Sequence, residues 1–176
     1  MLDSLITSKT RIKVLMKFFI NSDTTAYLRN LASEFGESTN GIRLELNRLE
    51  EAKLIEAKTV QNKKVYRANT NHPYFGDIHH LLLKYVGIDQ VVDELIKQIG
   101  YLEKAYVIND FAQGKPGKIL DLVLVGSEFN IAYLNKLVQK AEGNVSFKIQ
   151  YITVDAGGLS QYIQDKTKSL LVWSAV

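Results

Sequence analysis

Ser38-Thr39-Asn40-Gly41-Ile42-Arg43-Leu44-Glu45-Leu46-Asn47-Arg48-Leu49, continued by residues 50–68 as EEAKLIEAKTVQNKKVYRA, is the stretch on which the fold turns. Ser38 is suited to cap a helix, and Ile42, Leu46 and Leu49 recur at helical spacing. Together they predict a helix to about Lys53 with those three side chains toward a core. At 100° per residue the opposite side carries Asn40, Arg43, Leu44, Asn47, Arg48 and Glu51, polar and mixed in charge. Leu54 to Lys58 and Val65 to Ala68 are β-prone runs around the polar, basic connection Val60-Gln61-Asn62-Lys63-Lys64, which predicts a hairpin.

Upstream, Ser8 can cap a helix in which Ile12, Leu15, Met16 and Phe19 form one buried face, broken by Asn21-Ser22-Asp23. Ala26-Tyr27-Leu28 is apolar but short. Leu28, Leu31 and Phe35 suggest a second helix from about Arg29 to Phe35, stopped by Gly36. Two or three helices followed by a basic hairpin is the pattern of the winged-helix form of helix-turn-helix. Beyond His72-Pro73-Tyr74 a helix from about Phe75 to Val86 ends at Gly87.

The second half has another rhythm. Ile88, Val91, Val92, Leu95, Ile96 and Ile99 predict an apolar-striped helix closed by Gly100. Ala105 to Ile108 and Ile119 to Val125 look like buried strands joined by a polar loop, Asn109 to Lys118. Then come a helix over Ile131 to Glu142, a strand over Val145 to Val154, a helix over Leu159 to Lys168 and a last strand near Leu170 to Trp173. Such alternation predicts a small α/β or α+β domain. The expected fold class is α+β, a winged helix-turn-helix over residues 1–87 followed by a mixed-sheet domain over 88–176.

Composition narrows the classes. A chain of 176 residues makes one medium or two small domains. With no Cys there is no disulfide framework, thiolate metal site or thiol nucleophile, which agrees with a reducing compartment. The apolar runs Val14 to Ile20, interrupted by Lys17, and Ile119 to Val125, interrupted by Asp121, fall short of the roughly 20 residues of a membrane span. Met1 to Thr10 carries no signal pattern. A soluble, cytoplasmic protein with no membrane partner is expected. The net charge of +3 is unevenly placed. Residues 1–87 hold 13 Lys and Arg against 9 Asp and Glu, a net +4, whereas residues 88–176 hold 9 against 10, a net −1.

The order of motifs is more specific than any one of them. Leu5 to Arg11, Tyr27 to Ala32, Arg48 to Ile55, Val65 to Asn69 and His72-Pro73 together closely resemble the winged-helix DNA-binding domains of bacterial and archaeal transcriptional regulators. The resemblance is to the arsenical-repressor-like subgroup fused to a nucleotidyltransferase-like domain, and it covers roughly the first 87 residues. In the DNA-reading half, Ser38, Thr39, Asn40, Arg43, Asn47 and Arg48 would present the third helix to a major groove, where Arg can bridge guanine O6 and N7 and Asn can bridge adenine N6 and N7. Lys63 and Lys64 at the wing tip would meet phosphate, and Lys9, Arg11 and Arg29, with Ser8 and Tyr27, are candidates for the DNA backbone. Leu44 departs from the polar or basic residue common in the subgroup.

Tyr106-Val107-Ile108-Asn109-Asp110-Phe111-Ala112-Gln113-Gly114 and Ile119-Leu120-Asp121-Leu122-Val123-Leu124-Val125-Gly126 resemble the core of the minimal nucleotidyltransferases of the DNA polymerase β superfamily. That family implies a Gly-Ser turn for the nucleotide phosphates, an Arg after it, and an Asp-x-Asp pair for metal ions. Here Asn109-Asp110 stands in place of Gly-Ser, Gln113 in place of the Arg before Gly114, and Ile119 in place of the first metal ligand, so only Asp121 remains. One such carboxylate is a poor holder of two Mg²⁺ ions. Asn109, Asp110, Gln113, Gly114 and Asp121 are therefore expected to form a degenerate nucleotide site, with no catalytic residue, cofactor or metal. His79 and His80 are adjacent on a helix and diverge by about 100°, and with His72 they are expected to be structural or surface residues.

The function expected is a sequence-specific DNA-binding transcriptional regulator, not an enzyme. Its second domain would serve dimerisation or sense an unidentified small-molecule or nucleotide effector. Double-stranded DNA and a second copy of the chain are the expected partners. The alternatives are a nucleotidyltransferase whose winged helix recruits the substrate, and a protein–protein interaction module. For the dimer interface, the helix Phe75 to Val86 and the stripe Ile88 to Ile99 are the candidates.

Overall fold

The computed structural model describes residues 2–175, apart from the Asp3 side chain, so the first and last residues of the two expected domains lie outside the described residues. Contacts divide the chain into Met1–Leu82 and Leu83–Val176, and the division falls inside a helix, a few residues before Gly87. Among the described residues no helix is long and apolar enough to cross a membrane.

The first unit opens with a short helix α1 (Leu2–Leu5), then α2 (Lys9–Phe19), strand β1 (Thr25–Tyr27), α3 (Leu28–Phe35) and α4 (Thr39–Glu51). Ser8 caps α2 by accepting the Arg11 N–H at 3.1 Å, and Ser38 caps α4 by accepting the Gly41 N–H at 3.2 Å. Gly36 ends α3 in the left-handed region at φ 65°, where a Cβ would be strained. Val14, Phe18 and Phe19 of α2 meet Leu31 of α3 and Ile42 and Leu46 of α4 in a fully buried core. The helices leave α4's other side outward.

The hairpin pairs β2 (Ile55–Val60) with β3 (Lys63–Ala68), Val60 opposite Lys63. The connection is thus two residues, Gln61 and Asn62, both at positive φ, which suits the tight turns of twisted hairpins. Lys63 and Lys64 therefore stand on strand β3 and not in the connection, with Lys63 directly beside the turn. Ala26-Tyr27-Leu28, too short to assign from sequence, supplies β1, which pairs with β3 to give a sheet ordered β1-β3-β2. A short strand of this kind takes its stability from its partner. Then comes α5 (Phe75–Val86), with the bounds the spacing predicts.

One local rule is broken at the α4 end. Lys53 N–H donates to Glu50 O and Leu54 N–H to Leu49 O, closing the helix with Lys53 at φ 58°. Glycine is the residue suited to that position. Lys53→Gly should raise stability by about 0.5–1 kcal/mol. Urea unfolding checks it, and a midpoint equal to or below the parent's would show that the Lys53 side chain compensates for the strain.

The second unit is a mixed four-stranded sheet ordered β6-β5-β4-β7, made of β4 (Leu102–Ile108), β5 (Ile119–Gly126), β6 (Lys148–Val154) and β7 (Ser169–Ser174). β4 runs antiparallel to β5 and β7, and β5 parallel to β6 across the helix α8 (Ile131–Glu142). Three sequence expectations change. The stripe from Ile88 is a shorter helix, α6 (Ile88–Glu94), which breaks at Leu95 into a 3₁₀ turn (Ile96–Gln98), and Gln98 Nε2 donates to Glu94 O at 2.6 Å there. Its Ile88, Val91, Leu95 and Ile96 are buried, so this stripe is core and not a free surface. The loop after β4 begins as a helical turn, α7 (Asn109–Ala112), anchored by Phe111 against Phe147 at 4.9 Å. The helix expected over Leu159 to Lys168 is two 3₁₀ turns, Leu159–Gln161 and Lys166–Lys168, with no buried residue in either. Without an apolar face to bury, a longer helix has little to stabilise it.

Candidate nucleic-acid interface

The outer face of α4 carries Asn40, Arg43, Leu44, Asn47 and Glu51, all exposed, with Leu44 at 51%. Ser38 spends its hydroxyl on the cap, and Thr39 is exposed beside it. Beside this face lies a groove of about 570 Å³ lined by Tyr27, Arg29, Arg43, Lys63, Lys64 and Tyr66, among others. The start of α3, the middle of α4 and strand β3 thus bring three sequence-distant basic segments together. Among the described residues, Arg29, Arg43 and Lys63 have no ion-pair partner. Lys64 does: it stands 3.4 Å from Glu50.

Several expected contacts are otherwise engaged. Glu45 is only 4% exposed on the inner flank of α4. It accepts from Ser8 Oγ at 2.7 Å and from Arg11 Nε at 2.8 Å, and it stands 3.5 Å from Arg48 Nη1. Arg11 and Arg48, expected at the DNA, are therefore turned toward a buried carboxylate. The reason is angular: Arg48 lies 60° from Glu45 around the helix. Elsewhere on α2, Lys13 pairs with Glu37 at 2.7 Å and Lys17 with Glu34 at 3.0 Å, and Thr10 also donates to Glu37. Most cations of α2 are thereby neutralised, which leaves Lys9 as the one from the DNA set without an ion-pair partner there among the described residues.

Burial opposes ionisation of Glu45, yet the bonds from Ser8 and Arg11 and the charges of Arg11 and Arg48 outweigh it and hold its pKa below the ordinary value. Glu37 is held low in the same sense, burial again opposing while Lys13 and Thr10 prevail. Groups with lowered folded pKa contribute stability above their unfolded pKa and lose it as pH falls through the folded value. Stability should therefore be level down to about pH 5 and fall below about 4.5. Unfolding midpoints across pH 3–7 check this, and Glu45→Gln should flatten the decline.

The residues expected to form a degenerate nucleotide site lie in the second unit. Asn109 sits at φ 61°, a conformation suited to glycine, and its Nδ2 donates to Asp121 Oδ2 at 3.1 Å. Gln113 turns back to donate to Asn109 O at 3.3 Å, Gly114 follows at φ 71°, and Asp110 is exposed. On the sheet Asp121 lies between Ile108 and Gln150, in a cavity of about 360 Å³. β6 offers that face no acid before Asp155. Among the described residues, no three His, Cys, Asp or Glu side chains gather where they could hold a metal ion. The histidines have local partners: His79 Nδ1 lies 2.6 Å from Phe19 O, His80 Nδ1 lies 2.8 Å from Gly76 O, and His72 Nδ1 accepts from Tyr74 N–H.

Neither the acid set of Glu34, Glu37, Glu45 and Glu50 nor the tyrosine of β3 figures among the sequence-derived site residues. The signal for Glu50 is its position seven residues after Arg43, nearly the same angle on the helix.

No protein-family model matches the chain, and no curated protein does. Among solved structures, one that matches is a "putative nucleotidyltransferase" from Sulfolobus solfataricus, at 18% identity and a TM-score of 0.37. The match covers 55% of this chain and 86% of that one. A likeness of that size assigns the chain no activity.

Proposed function

We propose that the chain is a sequence-reading DNA-binding regulator of the winged-helix kind. Helices α3 and α4 form the helix-turn-helix pair and β2–β3 forms the wing. The observation that carries this is the sorting of charge. On α2 the cations Arg11, Lys13 and Lys17 are matched to acids, whereas Arg29, Arg43 and Lys63, around one groove beside α4, have no ion-pair partner among the described residues. A protein gains nothing in stability from grouping unmatched cations, and a phosphate backbone compensates them. Asn40, Arg43 and Asn47 supply base-edge donors, and Arg29, Lys63 and Lys9 supply phosphate contacts. Anisotropy with labelled duplex at two salt concentrations tests it: binding should weaken steeply with salt.

The second unit, in this account, keeps a nucleotidyltransferase-like frame without its chemistry. Asp121, the one retained carboxylate, is held by the residue that replaces Gly-Ser. Titration with Mg²⁺ and ATP should give the same heat for the parent and for Asp121→Ala. A Mg²⁺-dependent component lost in the variant would favour the enzyme instead.

The regulator acts in the cytoplasm as a homodimer, matching two half-sites. With the Ile88 stripe buried, α5 is the better interface. Its Ile78 and Leu81 line an apolar cavity of about 460 Å³ with Leu2, Ile6, Leu49 and Leu54, and Leu81 is 39% exposed. Leu81→Glu should shift the mass measured by light scattering from dimer to monomer.

A further inference from the structure

The groove beside α4 has a property that the outline of a duplex does not use. The ring of Tyr66 is buried, the residue being 4% exposed, while its hydroxyl opens into the groove and has no hydrogen-bond partner among the described residues. Burial raises its pKa first of all, Glu50 adds to this, and Lys64 and Arg43 oppose it, so the hydroxyl is a protonated donor at neutral pH. Around it stand Arg29, Arg43 and Lys63, none with an ion-pair partner among the described residues. The groove's volume of about 570 Å³ lies within the range of small-molecule sites and exceeds what one phosphate fills. Duplex phosphates lie on a convex rod and meet a rim. The Tyr66 hydroxyl opens into the groove, where a group that enters reaches it.

We propose that this groove binds a small phosphate monoester carrying a flat organic group, its phosphate held by Arg29, Arg43 and Lys63, the Tyr66 hydroxyl donating into it, and the flat group resting against Tyr27. Arg43 and Lys63 are also the cations assigned to DNA, so ligand and duplex compete. That regulatory consequence rests on the DNA-binding reading, whereas the ligand site does not.

The test is titration calorimetry of the full chain at low salt with AMP, inorganic phosphate and adenosine, followed by displacement of a labelled duplex by AMP. AMP should bind at least about tenfold more tightly than phosphate or adenosine. Arg29→Ala should weaken AMP about tenfold and Tyr66→Phe about fivefold, with Tyr66→Phe unfolding at the parent's temperature because the ring is kept. Saturating AMP should release the duplex. No AMP binding, equal affinity for phosphate alone, or AMP affinity unchanged in both variants would overturn the proposal. So would a duplex affinity that falls in Tyr66→Phe as much as AMP's, because the DNA's own phosphate would then fill the groove. If AMP binds as described and no duplex does, the site stands and the DNA reading falls. If duplex binds and AMP does not, the reverse holds.

Discussion

Replacing Glu45 by alanine should cost about 2–4 kcal/mol of stability, the largest loss expected of any single polar substitution in the first unit. Three groups depend on this carboxylate: Ser8 at the start of α2, Arg11 one turn later, and Arg48 on its own helix. Arg11 is partly exposed and recovers some hydration when the carboxylate is removed, which keeps the cost below that of a fully buried pair. Ser8 is less free to recover, because its hydroxyl already accepts the Arg11 N–H. The loss should shrink in the double variant Glu45→Ala with Arg11→Ala, since only Arg48, which is more exposed and farther from the site, is then left without the carboxylate, and the cycle gives the Glu45–Arg11 coupling directly. Chemical denaturation measures all four proteins. If Glu45→Ala costs under about 0.5 kcal/mol, the cluster does not anchor α2 to α4.

Arg43→Ala should lower duplex affinity by roughly 10- to 100-fold and relax base preference at one position, with little change in stability. Arg43 is exposed, has no ion-pair partner among the described residues, and points away from the core formed by Ile42 and Leu46. Lys63→Ala should act differently, weakening all sequences alike and reducing the salt slope by about one unit. Lys64→Ala should do less than Lys63→Ala, because Lys64 is already shared with Glu50. Arg11→Ala should leave affinity per folded molecule close to the parent's. The ordering separates a real interface from a generic positive surface, on which all four would count equally.

The helices of the first unit were legible because apolar residues at helical spacing coincide with caps and stops: Ser8, Ser38 and Gly36 each do what their sequence position implies. The hairpin was legible too, but not its turn. Lys63 and Lys64 read as loop residues because charge is common in turns, whereas pairing with Val60 and Thr59 of β2 draws them into β3. Pairing of Arg11 and Arg48 with Glu45 was not legible from residue types, since it depends on how α2 crosses α4. In the second unit, the strands β4 and β5 stood out as apolar runs, while the stretch Leu159 to Lys168 imitated a helix without an apolar face to bury. Ile119, which stands where the resemblance implies a first metal ligand, was plain in the sequence. That Asn109 bonds Asp121 became visible only in the fold.

Duplex anisotropy as a function of salt, comparing the parent with the Arg43→Ala and Lys63→Ala double variant, addresses the central claim. Parent binding should fall steeply between about 50 and 200 mM salt, and the double variant should bind at least about 100-fold more weakly with a shallower slope. Binding absent at low salt, or equal in parent and double variant, would contradict it.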